Sequence, residues 1–232
     1  GKLRSLDLRS KTIVWEVDTG GVILGTPAIS NGIVVVATKE GMVKAYATEN
    51  GDFLWERSIH ADTPCSPLIY DGVVYLGSRN ADIWALSLQN GEVIWQRFLW
   101  TSWVESSVVE YEGSLYVGSS DIGEVYCLDP RDGNLLWKRF VGGSPWSTPV
   151  LWKDRLWIGV AGATHYSFEH EGSLVCLDRR SGEFVWKNDY EKPVEATEYT
   201  NYGVVASPAV ANGWLYVGDL EGKMMAFDLN DG

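Results

Sequence analysis

Residues 45–55 read AYATENGDFLW, and residues 85–95 read ALSLQNGEVIW. The same phrase recurs as SLDLRSKTIVW at 5–15, CLDPRDGNLLW at 127–137 and CLDRRSGEFVW at 176–186. A small residue opens each copy, Gly stands seventh and Trp eleventh; only the first copy departs, with Lys11 in the glycine slot. A sixth copy begins at Ala226 as AFDLNDG. The tryptophans Trp15, Trp55, Trp95, Trp137 and Trp186 follow one another at spacings of 40, 40, 42 and 49 residues. A fixed period of this length is the signature of a repeat architecture.

Working outward, each period carries a second phrase: TPAISNGIVVVAT, SPLIYDGVVYLGS, SSVVEYEGSLYVGS, TPVLWKDRLWIGV and SPAVANGWLYVGD. Alternating β-branched and aromatic residues, broken in most copies by Asn-Gly, Asp-Gly or Glu-Gly, read as strand, turn, strand. A third strand opens the tryptophan phrase and a fourth carries the Trp. Four short strands in about 40 residues make one blade of a β-propeller. The expected class is therefore all-β, with four-stranded antiparallel blades. The periods fall near 16–55, 56–95, 96–137, 138–186 and 187–232, with 1–15 belonging to a preceding blade. About five blades are present. They close as a five-bladed ring or form an arc of a seven- or eight-bladed one. The arc is the favoured reading, because residues 1–8 and 222–229 stand at the same phase and one of the two strands would be surplus in a five-bladed ring.

A blade cannot bury both faces of its sheet alone. One Trp per blade, burying roughly 150–250 Å², supplies a regular contact between neighbours. The small residue at position one leaves room for it, and the Gly at position seven permits the turn between the third and fourth strands. Cys127 and Cys176 occupy the small-residue slot, so packing accounts for them.

The phrases resemble the pyrroloquinoline-quinone-type propeller repeat, with its tryptophan-docking motif A-x-D-x-x-x-G-x-x-x-W and partner phrase S-P-A-V…G-x-L/V-Y-V-G. The resemblance covers essentially the whole chain. It implies a propeller fold and leaves function divided. Some members are quinone-dependent alcohol or sugar dehydrogenases with Ca²⁺ or a lanthanide, an Asp base and, in one type, adjacent cysteines. Others are non-catalytic: an outer-membrane assembly lipoprotein, lumenal sensor domains, surface propellers. This chain has no adjacent cysteines, and no residue maps onto a catalytic Asp or a Ca²⁺ ligand. The expectation is a non-catalytic scaffold without a cofactor; pyrroloquinoline quinone with Ca²⁺ belongs to the alternative, a dehydrogenase segment. A self-assembling surface protein is the third reading. An extracytoplasmic location is implied by the resemblance alone.

The remaining sequence narrows the partners. The formal charge is −12 over 232 residues, which argues against nucleic acid as a main partner. No apolar run approaches the ~18 residues of a membrane helix, and residues 1–4 open directly into a repeat without a visible signal peptide. No Ser/His/Asp, GxGxxG, GxxxxGK or HExxH phrase is present. A protein or peptide partner, or a second copy, is the expected ligand.

Two segments break the period. Residues 161–172 sit between the second and third strands of the fourth repeat and run about nine residues longer than their equivalents. Residues 188–202 follow Trp186 and run about ten longer. Strand order places both on one rim, as spatial neighbours, while the opposite rim holds only short turns. The candidate partner-binding residues are His165, Tyr166, Phe168, His170, Tyr190, Glu191, Glu195, Glu198, Tyr199 and Tyr202. Aromatic and charged groups together suit recognition; two loops that merely pack on each other are the competing account. His165, His170, Glu169 and Glu171 are metal-ligand types, but their spacing matches no known site. The residues that lead into each blade line the channel mouth, where Asp62, Trp103, Glu105 and Trp146 could seat a planar ligand or plug the ring.

Overall fold

The computed structural model describes residues 1–100, 102–164, 170–195 and 200–229. Every helix or strand among them is a β-strand. The chain forms two compact units, Gly1–Leu99 and Trp100–Gly232.

The first unit holds a two-stranded ladder, β1 (Lys2–Asp7) with β2 (Thr12–Asp18), and two four-stranded blades. Blade one is β3 (Ala28–Ser30), β4 (Ile33–Ala37), β5 (Met42–Ala47) and β6 (Phe53–Ser58). Blade two is β7 (Leu68–Tyr70), β8 (Val73–Gly77), β9 (Asp82–Ser87) and β10 (Val93–Phe98). The second unit holds blade three, β11 (Val109–Tyr111), β12 (Ser114–Ser119), β13 (Glu124–Leu128) and β14 (Leu135–Phe140). Blade four follows, with β15 (Val150–Trp152), β16 (Arg155–Ala163), β17 (Ser173–Asp178) and β18 (Phe184–Asp189). After β19 (Asn201–Gly203) comes the three-stranded sheet β20 (Ala209–Ala211), β21 (Trp214–Gly218) and β22 (Met224–Asp228), blade five. Each blade is an antiparallel meander, and the tryptophan strands lie where the repeat puts them.

The first turn of each blade follows from its dipeptide. Both residues of Asn31-Gly32, Asp71-Gly72, Glu112-Gly113 and Asn212-Gly213 have positive φ, which is the type I′ geometry that matches strand twist. Between blades the faces are dry. Val35, Ala45, Trp55, Leu76, Trp84 and Leu86 form one core between blades one and two. Val125, Cys127, Leu156, Ile158 and Val175 form another between blades three and four.

The docking tryptophan is held at three points. It lies directly across the ladder from the small residue of its own blade: Ser5 opposite Trp15, Ala45 opposite Trp55, Ala85 opposite Trp95, Cys127 opposite Trp137 and Cys176 opposite Trp186. Its indole N–H donates to a carbonyl of the next blade: Trp15 to Thr48 at 2.9 Å, Trp55 to Leu88 at 2.8 Å and Trp137 to Arg179 at 2.9 Å. Its ring also covers the seventh-position glycine of that blade. A Cβ on Gly51 would lie 2.9 Å from Trp15 Cδ2; on Gly91 it would lie 2.5 Å from Trp55 Cε3, and on Gly182 2.5 Å from Trp137 Cε3. The glycine therefore serves more than its turn: it is the floor on which the preceding blade's Trp rests. An arginine two residues after the Trp completes the lock. Arg57 Nε donates to the Gly91 carbonyl at 2.8 Å, and Arg139 Nε to that of Gly182 at 2.6 Å.

Candidate functional site

Two backbone ties recur and define one rim of each blade. The residue after a tryptophan strand donates its N–H to the glycine or alanine that opens the third strand: Thr19 to Gly1, Ile59 to Gly41, Leu99 to Ala81, Val141 to Gly123 and Tyr190 to Gly172. Just beyond it, the inter-blade loop accepts from the turn after the second strand: Val22 from Lys39, Asp62 from Arg79, Trp103 from Ser120 and Gly203 from Leu220. Ser144 and Ala161 exchange both bonds at 2.8 Å. The inter-blade loop and the second-to-third-strand turn thus share a rim, as strand order requires.

Within blade four both long segments are partly strand. β16 continues through Ala161–Ala163, where the sequence reads as loop, and pairs with β19 as Ala161 opposite Gly203, Gly162 opposite Tyr202 and Ala163 opposite Asn201. Thr164 and Thr200 extend the ladder: the Thr164 N–H donates to the Thr200 carbonyl at 3.2 Å, and the Thr200 N–H to Thr164 Oγ1 at 3.0 Å. The two insertions are therefore neighbours joined by main-chain hydrogen bonds.

Tyr202 seats this ladder. It is buried, its ring lies over Gly162, where a Cβ would fall 2.4 Å from Cζ, and its hydroxyl donates to the His170 carbonyl at 3.1 Å. His170 is buried too, at 2% exposure, and its Nε2 lies 3.2 Å from the Asp121 carbonyl oxygen in blade three. Asp121 is fixed in turn by Ser102: Ser102 Oγ accepts from the Asp121 N–H at 3.0 Å and the Ile122 N–H at 3.2 Å, and bonds Ser119 Oγ. A connected spine runs Ser102, Asp121, His170, Tyr202 across blades three and four, and the Gly203 carbonyl extends it to Leu220 of blade five.

The burial sorts the residues singled out from sequence. His170 and Tyr202 form the interior of the rim, not its surface. Tyr190 occupies the slot that holds buried Ile59, Leu99 and Val141 in other blades. It packs against the buried cluster that includes Val204, Leu215 and Val217, its hydroxyl lies 3.4 Å from Met225 Sδ, and burial pushes its phenol up to about 12. Glu191 and Glu195 are exposed, as are Lys192, Pro193 and Val194 between them. His165, Tyr166, Phe168, Glu198 and Tyr199 lie outside the described residues. Of the channel-mouth set, Asp62 belongs to the first unit and is exposed. In the second unit Trp103 is exposed, with its N–H donating to Asp121 Oδ2 at 3.2 Å. Glu105 is half-buried. Trp146 is half-buried, with a buried indole N–H that has no acceptor among the described residues.

Sequence reasoning missed Ser102, Asp121 and the locking arginines. A signal existed for the first two. The 42-residue period is two longer than the two before it, with one extra residue before Trp103 and one between Ser120 and Gly123, and Ser102 Oγ joins these two stretches.

Among the described residues no group of three or more His, Cys, Asp or Glu side chains is placed to hold a metal. Cys65, Cys127 and Cys176 are buried in separate blades.

The chain is similar to several known proteins. It is 34% identical over 55 residues to outer membrane protein assembly factor BamB of Shewanella oneidensis, an alignment covering 24% of this chain and 14% of that relative. The match thus spans about a seventh of the curated relative's length. Crystallographic BamB from Moraxella catarrhalis superposes with a TM-score of 0.61 at 17% identity, covering 94% of this chain and 80% of that one. Quinohaemoprotein alcohol dehydrogenase from Comamonas testosteroni superposes at 0.71 with 16% identity, covering 90% and 43%. At such identities these two likenesses show a common β-propeller fold. A family model described as outer membrane protein assembly factor BamB matches residues 1–152 and 121–232, and the chain belongs to that family.

Proposed function

We propose that this protein is a non-catalytic β-propeller scaffold that holds a protein or peptide partner on its decorated rim, outside the cytoplasm, in outer-membrane protein assembly. The carrying observation is the β16–β19 ladder. Main-chain bonding and the Tyr202–His170 spine tie the described ends of the two insertions to three blades, and residues 191–195 of the second insertion are exposed, with Val194 fully open to solvent. An exposed segment flanked by a fixed ladder suits a binding surface. The family's description supports the assembly role, and through it the extracytoplasmic location.

The test is site-specific photo-crosslinking in the producing organism. A photoreactive residue at Glu195 is expected to give a discrete protein adduct, lost when Gly162→Val displaces the Tyr202 ring. The same residue at Asn212, on the exposed first turn of blade five at the opposite rim, is expected to give none. Equal adducts from both rims, or none from Glu195, would sink the reading. So would reduction of an artificial electron acceptor when the purified protein receives pyrroloquinoline quinone, Ca²⁺ and an alcohol or sugar.

A further inference from the structure

The fourth residue of a tryptophan phrase adjoins the preceding blade's docking Trp, whose indole bonds its carbonyl. Between blades three and four that residue is Arg179, 5% exposed. Its guanidinium lies 5.2 Å from the Tyr111 ring centre and pairs with Glu112 and, at 3.5 Å, with Asp154. The Tyr116 hydroxyl donates to the Arg179 carbonyl at 3.3 Å. Between blades four and five the fourth residue is Leu229. The same backbone bond seats it: the Leu229 N–H donates to the Gly213 carbonyl at 2.8 Å, as the Arg179 N–H donates to that of Asp154 at 3.1 Å. Leu229 does not fill the slot. A cavity of about 60 Å³ stays open there, and its lining includes Trp152, Arg155, Trp157, Trp186 and Leu229.

The surroundings change sign along with the plug. Register aligns the two blades: Tyr111 opposite Ser114 corresponds to Trp152 opposite Arg155, and Val109 opposite Tyr116 to Val150 opposite Trp157. Lys153 therefore replaces Glu112, Arg155 replaces Ser114 and Trp157 replaces Tyr116. The Lys153 ammonium lies 3.9 Å from the Trp152 ring centre. Of the nearby acids, Asp154 is engaged by Arg179 and Arg180. Asp178 faces Arg155 at 3.6 Å, beyond hydrogen-bond length, and its Oδ1 accepts the Arg180 and Ser181 N–H groups. Trp157 is 7% exposed, and its buried indole N–H has no acceptor among the described residues. A slot that encloses a cation between acids at one blade junction thus presents cations and indoles at the next. We propose that this cavity binds a small monocarboxylate with a short branched apolar body. The indoles and Leu229 enclose the body, and Arg155 and Lys153 take the carboxylate, which a guanidinium fork matches in geometry. The volume falls well below the roughly 150 Å³ that accepts a benzene ring, so it selects an aliphatic acid. The site lies on the rim opposite the insertions and does not depend on them.

The probe is isovalerate, with isovaleramide as its uncharged counterpart. Each is titrated into the ¹⁵N-labelled protein while the Trp157 indole N–H resonance is followed; Trp157→Phe assigns that resonance. Isovalerate is expected to shift it saturably at millimolar concentration, and isovaleramide to leave it in place. Arg155→Ser, which restores the residue of blade three, is expected to weaken binding about tenfold or more, as loss of a hydrogen bond to a charged group does. Lys153→Glu combined with Leu229→Arg rebuilds the plug of blades three and four. Glu112 and Lys153 share a left-handed backbone, with φ of 46° and 52°, so the exchange adds no strain. This variant is expected to melt no lower than the parent and to ignore isovalerate. A parent that does not respond, a parent that responds equally to the amide, or a folded plugged variant that binds as the parent does would overturn the proposal. If the plugged variant fails to fold, Arg155→Ser decides, and parental affinity there overturns it.

Discussion

The Tyr202 hydroxyl donates to the His170 carbonyl at 3.1 Å, and the His170 ring reaches the Asp121 carbonyl at 3.2 Å. One tyrosine from the second insertion therefore clamps the first insertion, which clamps the neighbouring blade. Tyr202→Phe keeps the ring over Gly162 and removes one of the two hydrogen bonds that the His170 carbonyl accepts, the other coming from the Ala163 N–H at 3.1 Å. The expected cost is about 1 kcal/mol in urea unfolding. Tyr202→Ala empties the site and is expected to cost about 3–5 kcal/mol. Limited proteolysis should then cut first within 191–195. Cleavage there at the parental rate in Tyr202→Ala would show that the ladder does not depend on this ring.

The thiols should be silent in the native protein. Burial pushes Cys127 up to about 11 and Cys176 up to about 12, and the thiolate is the reactive form. Both remain protonated at neutral and mildly alkaline pH. A thiol-specific chromogenic reagent at about pH 8 is expected to react with neither in the native state, and with all three cysteines in urea. Rapid native labelling at Cys127 or Cys176 would mean that the blade faces open.

Asp82 gives a pH dependence of opposite sign to the usual carboxylate. It is 4% exposed, and desolvation raises its pKa above the ordinary value. The native state holds the proton more tightly than the unfolded chain does, so protonation through the raised native pKa stabilises, and ionisation at neutral pH works against the fold. One oxygen, Oδ1, has no hydrogen-bond partner among the described residues. Asp82→Asn is therefore expected to melt no lower than the parent at neutral pH and to lose the gain that mild acidification gives the parent. Thermal melts at two pH values decide it; a variant clearly less stable at neutral pH would mean that the charge is needed.

The blades were legible because the repeat writes the same packing problem five times. Small residue, Gly and Trp at fixed spacing meet the same neighbours in each copy, so Ala45 opposite Trp55 and Cys176 opposite Trp186 follow from one rule. The rim location of the insertions was legible for the same reason, since strand order alone decides which loops adjoin. The interior of the rim was not. Tyr202 and His170 read as surface aromatics because they fall in irregular sequence, where no period says which side chain turns inward. Tyr190 could have been placed. Its offset of four from Trp186 is that of Ile59 from Trp55 and Leu99 from Trp95, and only its polar tip disguised a core position.

Two glycines separate docking from turn geometry. Gly72 and Gly91 have φ of +75° and +68°, so an alanine at either meets a comparable backbone penalty, about 1–2 kcal/mol. Their surroundings differ. A Cβ on Gly72 meets nothing within 4 Å, whereas on Gly91 it falls 2.5 Å from Trp55 Cε3, on a ring pinned by its bond to Leu88. Gly91→Ala must push the docking Trp off its floor, away from the Leu88 carbonyl, and disturb the Arg57 bond to the Gly91 carbonyl. It is expected to cost about 2 kcal/mol or more beyond Gly72→Ala, in the range of overpacking a filled site. Gly91→Ala combined with Trp55→Phe, which shortens the ring system, should cost less than the sum of the two single changes, because the second change relieves the clash made by the first. Equal losses for Gly72→Ala and Gly91→Ala would assign the recurrent spacing of this phrase to its turn alone and deny the glycine its part in joining blades.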